Sequence, residues 1–213
     1  FLQSHMKSRT AGSPRFASFL GVDWSGAKGK SHAGLQLAHA MPGKSAPLRV
    51  SPPLSKYWSR QQVFDYLVEM AENAKAKAPV LVGIDFAFAH PFVDKDSYFP
   101  GIDMSPANAL SLWAMVDQVN AGQPDLYGGA MFRHALWGDY YLAPPTYQAR
   151  HYASRRRITE MAARAAGRSP SPTFKAVGAD NVSTGSLAGM RLLHRLKQQL
   201  GARLSVWPFD DIV

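Results

Sequence analysis

Two apolar runs in this chain end on an aspartate: Phe16-Ala-Ser-Phe-Leu-Gly-Val-Asp23 and Val80-Leu-Val-Gly-Ile-Asp85. Their length, their Val, Leu and Ile content and the turn residues around them predict strands rather than helices. The second run is continuously apolar, which predicts a strand buried on both faces. If the two strands are parallel neighbours, both carboxylates stand at one carboxyl edge of a sheet, where open α/β sheets keep their sites.

The segment after Asp23 ends in Gly29-Lys30-Ser31, the close of a phosphate-loop signature. That signature needs a glycine five residues before Gly29, and Trp24 stands there. A helix should also follow Ser31 with its N-terminus toward the anion, yet residues 33–38 alternate weakly, as a strand does. Lys28 and Lys30 are left as plain positive charges that attract phosphate. Asp23 is the residue of interest here.

Residues 16–23, 33–38 and 48–50 read as three strands joined by turns, an antiparallel meander. Ser59 with Gln62 forms a capping box, and Val63, Tyr66, Leu67, Met70 and Ala74 then recur at helical spacing. The strand 80–85 follows, then helices over about 106–120, 154–166 and 186–200, and a last strand over 203–207. Residues 122–150 are rich in Gly, Pro and aromatics without periodicity, which marks a long insertion. Strand, strand, strand, helix, strand, helices, strand is the order of an RNase H-like fold. The expectation is a mixed five-stranded sheet, a three-strand antiparallel meander plus parallel strands, flanked by helices. Residues 1–5 read as the remnant of an expression tag, and 6–213 as one domain.

Composition bounds the chemistry. Cysteine is absent, so disulfides and thiolate metal sites are excluded, and a cytoplasmic protein is expected. No apolar run approaches the ~18 residues of a membrane span. The net charge is +9, with arginines concentrated at Arg150, Arg155, Arg156, Arg157, Arg164 and Arg168. Such a cluster suits nucleic acid, RNA or DNA, because each neutralised phosphate releases counterions; it also suits a merely solvated surface. Two carboxylates brought together repel unless protonated or bridged by a cation. Oxygen ligands without cysteine point to Mg²⁺ or Mn²⁺.

The segments GVDWSGA (21–27) and VGIDFAFAHPF (82–92), then R-x-x-x-E within residues 155–174, then VWPFD (206–210), occur in an order that resembles an uncharacterised bacterial family. It is the domain-of-unknown-function family of predicted RNase H-like nucleases. The resemblance implies a divalent-metal site with Asp23 and Asp85 as its central pair. It implies supporting acids at Glu160, which shares a helix with Arg156 or Arg157, and at Asp210 or Asp211. Asp23, Asp85, Glu160 and Asp210 would then be catalytic, with Asp23, Asp85 and Asp210 as metal ligands. Two cations ~3.5–4 Å apart would activate a water for in-line phosphodiester hydrolysis.

Other readings stand beside these. His90 or His134 could move a proton, or pack against the core. Glu160 could pair within its helix with Arg156 or Arg164. Trp24, Trp137, Tyr140, Tyr141, Tyr147 and Tyr152 could stack on bases beside basic residues, or bury the insertion on the sheet. Arg155, Arg156 and Arg157 could grip a substrate phosphate or hold the carboxylates. Against a nuclease stand a non-catalytic nucleic-acid- or nucleotide-binding module of the same fold and, more remotely, an actin-like phosphotransferase, which needs two such domains.

Overall fold

The computed structural model describes residues 16–74, 79–145 and 149–210; residues 1–5, Tyr147 and Asp211 fall outside them. The chain forms a mixed α/β fold on a four-stranded sheet of order β3-β2-β1-β4. The strands are β1 (Ser18–Asp23), β2 (Gln36–Ala40), β3 (Leu48–Val50) and β4 (Val80–Ile84). The first three form the antiparallel meander, and β4 lies parallel to β1.

The helices are α1 (Arg60–Asn73), α2 (Ala109–Val119), α3 (Ile158–Ala165) and α4 (Ser183–Leu200). The capping box of α1 forms as its sequence requires: Gln62 N–H donates to Ser59 Oγ at 3.0 Å, and Ser59 N–H donates to Gln62 Oε1 at 2.9 Å. Pro106 lies ahead of α2, whose N-cap is Asn108; its side chain accepts from Ser111 N–H. α3 starts later than residue 154, because Arg157 is still extended and Glu160 closes the first turn.

Leu20, Val22 and Leu37 point from the sheet into a cluster with Val63 and Leu67 of α1 and Leu192 and Leu196 of α4. The opposite side of α4, through Leu187, Met190 and Leu193, joins a second cluster with Leu112, Trp113 and Val116 of α2. Trp137, Tyr140 and Tyr141 are buried in that second cluster, so the insertion spends these rings on the interior. Burying each such large apolar side chain contributes roughly 1.5–3 kcal/mol.

Two expectations are corrected. Among the described residues the sheet has four strands, not five: Gly201–Arg203 form a 3-10 turn that starts at Gly201, whose φ of 55° takes the chain out of α4. Lys197 Nζ then donates to Leu204 O at 3.1 Å and to Asp210 at 2.9 Å, while Val206 N–H donates to Asp210 at 2.7 Å. The Leu204 and Val206 backbone is thus engaged by this turn rather than by a sheet, and the apolar Val206 is buried in the second cluster. The run 80–84 is not buried on both faces either. Leu81 is 46% exposed and Gly83 is exposed, because α1 and α4 cover one face only.

Candidate functional site

Alternation along the strands decides what faces outward. Pairing sets Phe19, Ala40 and Leu81 in one row on the uncovered face and Gly21, Ala38, Gly83 and Arg49 in the next. Asp23 pairs with Gln36 in the third row, and Asp85 follows directly after β4. The Asp85 N–H donates to the Val22 carbonyl at 3.0 Å, which extends the parallel ladder by one step. Asp23 and Asp85 are therefore neighbours on adjacent parallel strands, with Cα atoms ~4.8 Å apart by ordinary strand spacing. Both are exposed, and both line one open depression of about 890 Å³ on this face. Neither carboxylate has a hydrogen-bond or ion-pair partner among the described residues. Two like charges at this spacing gain from a bridging cation.

The loop after Asp23 is held from below. Arg60, fully buried at the start of α1, donates through Nη1 to Ser25 O at 2.7 Å and Ala27 O at 3.1 Å. Its Nε donates to Asp125 O at 2.6 Å, and the Asp125 carboxylate also meets His32 Nε2 at 2.9 Å. A Cβ on Gly26 would lie 2.1 Å from the backbone N of Gly185, so only glycine allows the loop to rest on the start of α4. Trp24 turns inward, as alternation dictates for the residue after Asp23. It is 8% exposed, packs on Phe86 at 5.6 Å and donates Nε1–H to Gly185 O at 3.0 Å. Its ring belongs to the interior, which corrects the expectation that it stacks on substrate. Lys28 and Lys30 are exposed on the same loop.

The other anticipated residues are engaged elsewhere. Glu160 is buried; one carboxylate oxygen accepts from Arg157 N–H at 2.7 Å, the other from the Arg157 guanidinium at 3.0 and 2.9 Å. It caps α3 and pairs with Arg157, rather than with Arg156 or Arg164. Asp210 closes the turn after α4; burial raises its carboxyl, but the Lys197 ammonium and Val206 N–H hold it below the usual value. Arg155 is buried, binds both oxygens of Asp94 and donates to the carbonyls of Pro91, Ser97 and Tyr98. It pins a loop from the interior, and its guanidinium is buried rather than presented to a phosphate. Arg156 donates to Ser154.

His90 is fully interior, stacked on Phe174 and hydrogen-bonded to Thr173 Oγ1 and Tyr141 Oη. Burial, reinforced by Arg157 and Arg155, pushes its pKa down to about 3, so it is neutral and packed. His134 stacks beside Trp137, its Nδ1 accepting from Leu136 N–H. Neither lines the depression that holds the acid pair.

Sequence reasoning missed Arg49, which lines that depression with the acids. The signal was present: in Leu48-Arg-Val50, alternation puts the middle residue on the face opposite Val50, whose partner Leu37 is buried. Among the described residues no three His, Cys, Asp or Glu side chains are grouped as a metal shell, and no helix is long and apolar enough to cross a membrane. Comparison with protein-family models, with curated proteins and with solved structures found no match.

Proposed function

We propose that the chain is a cytoplasmic, divalent-cation-dependent phosphodiester hydrolase of RNase H-like type acting on nucleic acid, with Asp23 and Asp85 as its cation ligands. The observation that carries this reading is the pair of unpartnered carboxylates on adjacent parallel strands, lining one open depression. The strand order β3-β2-β1-β4 and the acids at corresponding strand ends support the RNase H-like assignment. Two carboxylates suit Mg²⁺ or Mn²⁺, which complete their shells with water and substrate phosphate. A cation bound there supplies charge neutralisation for a phosphodiester and lowers the pKa of a coordinated water. Asp23 and Asp85 hold and orient it, while Lys28 and Lys30 draw phosphate toward the edge by charge.

One observation favours a second reading, a nucleic-acid-binding module without hydrolysis. The Glu160 and Asp210 carboxylates are spent on capping and ion pairs, which leaves the site two acids rather than four. Calorimetric titration of Mn²⁺ into the wild type, Asp23→Asn and Asp85→Asn tests the primary reading without a guess about substrate. Saturable binding by the wild type and loss in both variants is expected. A flat titration of the wild type at millimolar Mn²⁺ would remove the cation site and leave the binding module.

A further inference from the structure

Arg49 lies in the same cross-strand row as Ala38, Gly21 and Gly83, one row away from Asp23. Among the described residues it is the one cationic side chain lining the depression; it is exposed, and its guanidinium has no partner there. Strand spacing and rise put its Cα ~12 Å from that of Asp23, two strands across and one row along. The long side chain closes much of that gap. Extended toward β1, its guanidinium would come within about one nucleotide of Asp23.

The floor between them has almost no side chains, and the fold does not require that. A Cβ on Gly83 would meet nothing within 4 Å, and one on Gly21 only Ala38 O at 3.9 Å. Neither glycine has a positive φ. Glycine in a strand interior costs stability against residues that fill the pleat. Where local geometry accepts a side chain and the sequence withholds it, a ligand approaching the backbone is a reason for glycine. Gly26, pressed on Gly185, shows by contrast a glycine that the fold does demand.

We infer that Arg49 is a substrate-binding residue that takes the phosphate next to the one held at Asp23 and Asp85, with the intervening nucleotide lying over Gly21, Ala38 and Gly83. This rests on the reading of the acid pair as a phosphodiester site. The substrate strand thus crosses the sheet from β4 toward β3, anchored by a cation at one end and a guanidinium at the other. Arg49 can bind phosphate bidentately, a geometry that lysine reproduces only as a point charge.

The test measures a fluorescent 12-nucleotide single-stranded DNA by anisotropy in Ca²⁺ across a salt series, alongside Mn²⁺ calorimetry. Arg49→Gln should weaken binding about tenfold and lower the slope of log affinity against log salt by about 0.7, the share of one phosphate contact. Arg49→Lys should restore most of that slope. Gly83→Val should weaken binding to a similar degree without lowering the melting temperature. Mn²⁺ binding should survive in all three. Unchanged affinity and salt slope in Arg49→Gln and Gly83→Val, with Mn²⁺ binding still lost in Asp23→Asn and Asp85→Asn, overturns the strand path and leaves the acid site standing. The reverse, Arg49 variants weakened while the acid variants bind Mn²⁺ like wild type, keeps Arg49 as a phosphate contact and removes the acid pair from the site.

Discussion

On its covered face the sheet presents Leu20, Val22 and Leu37, each no more than 4% exposed and packed under α1 and α4. One residue along the same strands, on the other face, stand Gly21, Asp23 and Ala38, over which no described element packs. The first set is chosen by packing: large, apolar and interlocked. The second set follows none of those rules: its Asp23, like Asp85 on the neighbouring strand end, is a carboxylate that no described protein group neutralises. A face that contributes so little to holding the fold together is free to be shaped by what it binds.

Truncating one residue on each face separates the two. Leu37→Ala should cost about 3 kcal/mol, the usual price of a core cavity. Leu81→Ala, on the open face, should cost well under half of that. Urea midpoints for the two variants check this; equal losses would mean that the open face is packed in solution.

Acid should act through the interior. His90 is held at a pKa of about 3 when folded, against 6.5 when unfolded. Its contribution to stability is therefore fully present above pH 6.5 and is lost as pH falls toward 3, because the unfolded chain binds the extra proton. A loss on the order of 2 kcal/mol is expected between pH 6.5 and 4.5, above the carboxylate range. His194, lowered by burial, adds to it. His90→Gln should flatten most of that slope in pH-dependent unfolding, and an unchanged slope would assign the acid sensitivity elsewhere.

Gly26→Ala should destabilise by about 2 kcal/mol, because its methyl meets the backbone at the start of α4. Gly83→Val should instead be neutral or gain up to about 1 kcal/mol. Thermal melts of the pair distinguish a glycine the fold needs from one it does not.

How much of this was legible in the sequence varied by element. The Ser59 capping box and the strand over 48–50 depend on local pattern, and local pattern was sufficient; the alignment of Asp23 with Asp85 depends on the parallel pairing of β1 with β4, which came from the order of elements along the chain. Burial of both faces of 80–84 depends on a covering layer, which no window of that strand contains. The supposed fifth strand failed for a related reason: the apolar run 203–207 asks only for an interior, and the turn closed by Asp210 provides one beside α4. The arginines around residue 155 read as a surface cluster because charge is exposed by default. Only the path of residues 91–98 turns Arg155 into an internal clamp. Glu160 offered two roles at one spacing, and the extended backbone of Arg157 selected the cap.

Arg60 has one more consequence. Its donors reach Ser25, Ala27 and Asp125, positions far from it along the chain. Contacts between such distant segments form late, because long loops must close before any bond rewards them. The meander can pair early from neighbouring sequence, whereas the loop behind Asp23 locks only after α1 and the Asp125 turn arrive. The loop behind Asp23 therefore orders after the meander it follows, and native-state hydrogen exchange should show Ser25 to Ala27 unprotected before β1 itself.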